Sequence, residues 1–322
     1  MDSYLNKLRV EIEEHLGSID LPSDPANLYE PIEYMLSLGG KRIRPILTLI
    51  GCELFGKPYS NAMDQALAVE IFHNFTLVHD DIMDSAEVRR NLPTVHKKWD
   101  VNIALLSGDG MIVIAYQHLF KAQNDKLKKL ADVFSKTALE VCEGQQYDMD
   151  YASYETVSLS SYLEMIRLKT AVLLGGAMQL GAIVADASEK QLEQVQHFAE
   201  SMGLAFQIKD DYLDSFGDQD SFGKEIGGDI REGKRTWLTL KAFELLGDDN
   251  QRLLDAYSIT DISKRVDAVM AIYNELDVKG CAEKEIAKYS DDSLKTLANI
   301  EGEENVKSKL SALVHYLIDR EN

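Results

Sequence analysis

The chain has 322 residues, 45% of them hydrophobic, and carries 54 acidic against 34 basic side chains, a formal charge of −20. That hydrophobic share supports a core and excludes a disordered chain. The acidic balance excludes nucleic acid as the main partner, because phosphate backbones bind basic faces.

The opening stretch MDSYLNKLRVEIEEHLGS lacks a basic start followed by an apolar run, so no signal peptide is expected there. No apolar stretch approaches the roughly 18 residues of a membrane span, so no transmembrane segment is expected. Cys52, Cys142 and Cys281 are odd in number and widely spaced. They suggest neither a disulfide framework nor a zinc site, and point to buried thiols in a reducing cytoplasm.

All six prolines fall at or before Pro93. Proline breaks helix interiors, so everything after it is open to long helices. Apolar residues recur at spacings of three and four in SYLEMIRLKTAVLLGGAMQLGAIV, in EKQLEQVQHFAESMGLAFQIKDDYLD and in VKSKLSALVHYLIDREN. Strand-like alternation is scarce. The pattern predicts an all-α protein. Glycine and charge mark loops at 37–45, 85–94, 106–110 and 216–235. The last is long and polar, and such loops are often functional. No Gly/Ser-rich or Pro-rich linker divides the chain, so a single domain over 1–322 is expected.

One pattern occurs twice. Asp80, Asp81 and Asp84 end the apolar run AVEIFHNFTLVHDDIMD, and Asp210, Asp211 and Asp214 end SMGLAFQIKDDYLD. A helix turns about 100° per residue, so Asp80 and Asp84 share a face, as do Asp210 and Asp214. Like charges at that spacing cost a few tenths of a kcal/mol, and they sit near the negative end of the helix dipole. A local cost repeated twice points to a cation that completes the site. Oxygen-only ligands on short side chains suit magnesium, which keeps waters and bridges carboxylates to phosphate oxygens. The competing reading is a solvated acidic helix end.

Basic residues supply the other half. GGKRIRP offers Lys41, Arg42 and Arg44 beside two glycines; Arg89 and Arg90 follow the first acidic cluster; Lys169 interrupts an apolar run and precedes Thr170; Lys224 and Lys234 lie in the loop after the second cluster. As a set in so acidic a chain they read as phosphate ligands, although for Arg42 a snorkelling surface side chain stays open. His73 lies two helical turns before Asp80, on the same face, placed to donate to a phosphate. EIFH, Glu70 to His73, also fits half of a di-iron bundle motif, but no second Glu-x-x-His partner is found.

The order of GGKRIRP, HNFTLVHDDIMDSAEVRR, LPTVH, LSGD, GQQYDMD, LKTAVLL, FQIKDDYLD, FGKEIGGD and GKRTW resembles that of the trans-isoprenyl diphosphate synthases, the head-to-tail polyprenyl synthetase family, over about residues 30 to 240. The resemblance implies the isoprenoid (terpenoid) synthase helical bundle with a central cavity, and a homodimer. It implies that the six aspartates bind about three magnesium ions on an allylic diphosphate, which Arg89, Lys169, Thr170, Gln207, Lys224 and Lys234 contact. It implies that Lys41, Arg44, His73 and Arg90 form the isopentenyl diphosphate pocket. Ionisation of the allylic substrate, attack by the isopentenyl double bond and loss of a proton would then lengthen the chain, with no Ser or Cys nucleophile needed.

Phe75, five residues before the first aspartate, with Thr76 after it, resembles the bulky floor of enzymes that stop at C20, or next at C15, from C5 to C15 primers. An ideal wheel puts Phe75 roughly 140° from Asp80, so spacing alone does not place it in the tail pocket. Asn91 stands where the family often has glycine, and Trp237 where it often has a smaller residue; neither is expected to touch a ligand. Two other readings of the resemblance are a terpene cyclase on the same fold and a catalytically silent subunit of a heteromeric synthase.

Overall fold

The structure is a computed structural model that describes residues 3–151, 157–217 and 227–318. These are helical almost throughout, as the periodicity predicts; among them the only strands are the short pair Val88–Arg89 and Leu92–Pro93. The chain forms two compact units, Met1–Ser135 with Gly176–Leu192, and Lys136–Gly175 with Glu193–Asn322.

In the first unit the Met63–Met83 helix is central. It packs chiefly on the Val101–Leu119 helix, and after that on Ile43–Leu54. Ala66, Leu67, Val69, Ile71, Phe72, Phe75 and Val78 are all buried, so the helix is covered nearly all round, as a core helix must be. Aromatic rings stack edge to face along it: His79 on Phe75 at 4.6 Å, Phe75 tilted on Phe72 at 5.4 Å, and Phe72 on Phe134 at 5.4 Å. Asp100 caps the Val101–Leu119 helix by accepting from Ile103 N at 2.9 Å.

The second unit is built around Trp237, Tyr273 and Phe198, all fully buried. Thr239 Oγ1 lies 2.9 Å from the hydroxyls of both Tyr257 and Tyr273, which gives these buried polar groups partners. The loop expected over 216–235 is partly helical, since Gly228–Glu232 forms a short helix; residues 218–226, with Lys224, lie outside the described residues.

One helical run, Leu159–Val184, is long and apolar enough to cross a membrane, contrary to the reading that no stretch comes near that length. Lys169 interrupts the run and disguises its length. Of its 18-residue window 78% is buried, as in a core helix.

Candidate active site

The first acidic cluster closes the central helix of the first unit, with Asp84 in the C-cap position. Its three aspartates have different surroundings. Asp81 is buried, and Arg89 donates to it from Nε at 2.9 and 3.0 Å and from Nη2 at 2.7 Å. This forked pair is the strong kind of charge-assisted contact. Asp80 is half-buried and Asp84 is exposed. The expected diphosphate ligand Arg89 therefore has two of its three nitrogens committed to the middle aspartate.

Arg89 and Arg90 sit in a hairpin, with Arg89 paired to Leu92 and Val88 to Pro93. Its two-residue turn is Arg90–Asn91, at φ +53° and +63°. Two consecutive left-handed residues define the turn type whose twist matches a hairpin, and asparagine tolerates that region best after glycine. Asn91 thus does what a glycine would do there.

The turn aims Arg90 at the GGKRIRP loop, where its Nη1 donates to the Gly39 carbonyl. A Cβ on Gly40 would lie 2.9 Å from Arg90 Nη2, so the glycine makes room for the guanidinium. Arg44 Nη1 lies 3.2 Å from His73 Nε2. Arginine has no acceptor, so His73 accepts through Nε2 and carries its proton on Nδ1. Burial, then Arg44, Arg90, Arg89 and Arg42 in that order, hold His73 well below the usual histidine range. The structure therefore brings Arg44, His73 and Arg90 into one electropositive cluster, and the buried Nε of Arg44 has no acceptor among the described residues. Lys41 is exposed on the same loop.

Arg42 is not a snorkelling surface side chain. It is 4% exposed, bonded to Glu70 Oε1 and to the Leu36 carbonyl. Asn74 also donates to Glu70, at 3.1 Å. These contacts occupy the Glu70 carboxylate and leave the di-iron reading without its first ligand.

The second acidic cluster lies in the last two turns of the Glu189–Phe216 helix. Again the middle residue points inward. Asp211 is buried, accepts from Tyr162 Oη at 2.6 Å and from Trp237 N at 3.1 Å, and its carboxyl is pushed up to about 7 by burial against the pull of those donors. Trp237, expected to touch no ligand, thus holds Asp211 through its backbone, while its side chain is buried in the core. Asp210 and Asp214 are half-buried. Asp214 Oδ2 accepts from Asp229 N at 3.0 Å, tying the short Gly228–Glu232 helix to the cluster. Lys234 follows that helix, mostly exposed, with Glu232 at 2.6 Å and Asp229 at 3.7 Å.

Lys169 and Thr170 fall in a π-turn, Arg167–Ala171, inside an otherwise α-helical run. Turns of this kind concentrate at functional sites. Lys169 Nζ bonds Asp148 Oδ2 at 2.5 Å, and Thr170 Oγ1 lies 3.4 Å from Gln207 Oε1. Asp148, within GQQYDMD, and Tyr162 are site residues for which the sequence alone predicts no role. The missed signal for Asp148 was its place four residues after Gly144 on one helical face.

Among the described residues no three His, Cys, Asp or Glu side chains converge on one ion position. Magnesium, which retains waters and takes phosphate oxygens, needs only one or two carboxylates at a time, and the oxygen-only donors of both clusters suit it.

A profile of the polyprenyl synthetase family matches residues 25–276. A geranylgeranyl diphosphate synthase of Methanosarcina mazei is 40% identical over 222 residues, 68% of this chain and 68% of its own length. A crystal structure of a geranylgeranyl pyrophosphate synthase superposes with a TM-score of 0.93 at 43% identity, covering 100% of both chains. A polyprenyl synthase from Caulobacter crescentus CB15, complexed with calcium and isoprenyl diphosphate, has a TM-score of 0.84 at 26% identity, covering 99% of this chain and 97% of its own. The chain belongs to the polyprenyl synthetase family. It has the helical isoprenyl synthase fold and is a prenyltransferase.

Proposed function

We propose that this short-chain trans-prenyltransferase condenses isopentenyl diphosphate with C5 to C15 allylic diphosphates and stops at geranylgeranyl diphosphate. The observation that carries the reading is the division of labour along one helix. Neutral His73 accepts from Arg44 in a cluster whose positive charge comes from Arg44 and Arg90, and two turns later Asp80 and Asp84 present acids on the same face while Asp81 is withdrawn to hold Arg89. The positive cluster fits the diphosphate of isopentenyl diphosphate, and the unmet Arg44 donor suits its anionic oxygens. Lys41, exposed beside it, is the fourth member of that pocket.

We assign Asp80 and Asp84, with Asp210 and Asp214, to magnesium on the allylic diphosphate, about three ions in all. Asp81 and Asp211, counted among the six magnesium ligands by the resemblance, are engaged by Arg89 and by Tyr162 and Trp237, and we assign them to orienting these clusters from behind. The Caulobacter structure's calcium and isoprenyl diphosphate support the pairing of a divalent ion with such a substrate. When bound, magnesium neutralises charge on the diphosphate as its C–O bond breaks. Lys169, Thr170, Gln207, Lys234, Lys224 and the remaining Arg89 nitrogen hold the diphosphate oxygens in place. Both units serve one polyprenyl synthetase domain.

The Val101–Leu119 helix supports a homodimer. Leu106 and Val113 are 60% and 59% exposed, and Phe120 continues the seven-residue spacing at 50%. An apolar stripe of this kind marks a partner surface, and sedimentation velocity distinguishes dimer from monomer.

Phe75 sets the stop. It is buried between the rings of Phe72 and His79, which fix its place beneath the acidic helix end. Phe75→Ala is expected to lengthen the product beyond C20, read by chromatography of the dephosphorylated alcohols. It also costs about 3–5 kcal/mol of stability, as buried Phe→Ala changes do. An unchanged product spectrum from a folded variant would remove Phe75 from this role.

A further inference from the structure

The π-turn at Arg167–Ala171 is held on two sides by glycines. Val172 N–H donates to the Arg167 carbonyl, five residues back, which marks the extra residue in the turn. A Cβ on Gly144 would overlap the Lys169 amide nitrogen and lie 2.7 Å from Leu168 C and Lys169 Cα. A Cβ on Gly203 would lie 2.9 Å from Ala171 Cα and Cβ. The crowded atoms are mostly backbone, which no rotamer change moves aside. A π-turn persists only where its surroundings over-determine it.

We propose that Gly144 and Gly203 are positioning residues that lock this turn and so direct Lys169 and Thr170 at the allylic diphosphate. The inference rests on the role given to these two side chains above. If the turn relaxed to regular α-helix, side chains on one side of it would rotate by about 100° relative to the other. Lys169 would leave Asp148, or Thr170 would leave Gln207, which lies one turn before Asp211. Gly144 and Asp148 are four residues apart on one helix, so the same face excludes a side chain at the turn's backbone and receives its ammonium group.

The test uses the full chain as wild type, Gly144→Ala and Gly203→Ala. Steady-state kinetics are measured for each substrate, with thermal melting and amide hydrogen exchange over 167–172. Gly144→Ala is expected to lower kcat/KM for the allylic diphosphate by a factor on the order of 10². KM for isopentenyl diphosphate should stay within about twofold, since the residues proposed for it are untouched. Exchange should rise across the turn while other protected amides hold. Gly203→Ala, with the milder clash, should show the same split to a smaller degree, and carries the test if Gly144→Ala does not fold. Equal losses for both substrates, or unchanged exchange at the turn, would overturn the proposal. A wild type inactive with every primer would remove the functional reading instead, while exchange would still decide whether the glycines hold the turn.

Discussion

Asp80→Ala and Asp210→Ala are each expected to lower the condensation rate by a factor on the order of 10² to 10³, while the melting temperature stays level or rises slightly. The opposite signs follow from the placement of these acids. Each sits one turn from a second aspartate near a helix C-terminus, where removing one charge relieves like-charge repulsion and a poor dipole position. Asp81→Ala separates the two roles. Asp81 is buried under the Arg89 fork, so its loss strands a guanidinium and lowers stability together with rate. A rate loss in Asp80→Ala matched by an equal loss in stability would mean that the outward acids serve the fold rather than the substrate.

Arg42→Ala is expected to destabilise the protein by about 3–5 kcal/mol, measured by urea unfolding. Both partners of the Arg42–Glu70 pair are almost wholly buried, with side-chain exposures of 1% and 2%. Truncating one leaves an uncompensated carboxylate in the core of the first unit. That is a large part of the 5–15 kcal/mol typical of a folded domain. Replacing both, as Arg42→Met with Glu70→Leu, should recover most of the loss, because the pair's cost of desolvation disappears with its attraction. A single-variant cost under about 1 kcal/mol would show water reaching the site.

Much of this architecture was legible beforehand. The absence of proline after Pro93 and the three-and-four spacing of apolar residues gave helices, and the repeated aspartates on apolar runs gave the acidic helix ends. The inward turn of Asp211 was also available. In the second cluster Asp211 follows apolar Ile208 three positions back where Asp210 follows Gln207; in the first, Asp80 and Asp81 follow Leu77 and Val78, so the pattern alone does not separate them. Other features were not legible, because they are set by residues distant in sequence. The Arg42–Glu70 pair spans 28 positions. The π-turn depends on Gly144 and Gly203 pressing from other helices, and no local propensity encodes it. The hairpin at Val88–Pro93 was hidden for a different reason: Arg90–Asn91 is an uncommon way to fill a turn that usually carries Asn-Gly.

The most direct measurement is incubation of the purified chain with labelled isopentenyl diphosphate, magnesium and, in separate reactions, C5, C10 and C15 allylic diphosphates. A short-chain prenyltransferase that stops at geranylgeranyl diphosphate, as proposed, should turn every primer into an alcohol of twenty carbons after phosphatase treatment. Label that stays in isopentenyl diphosphate with all three primers would contradict that chemistry outright.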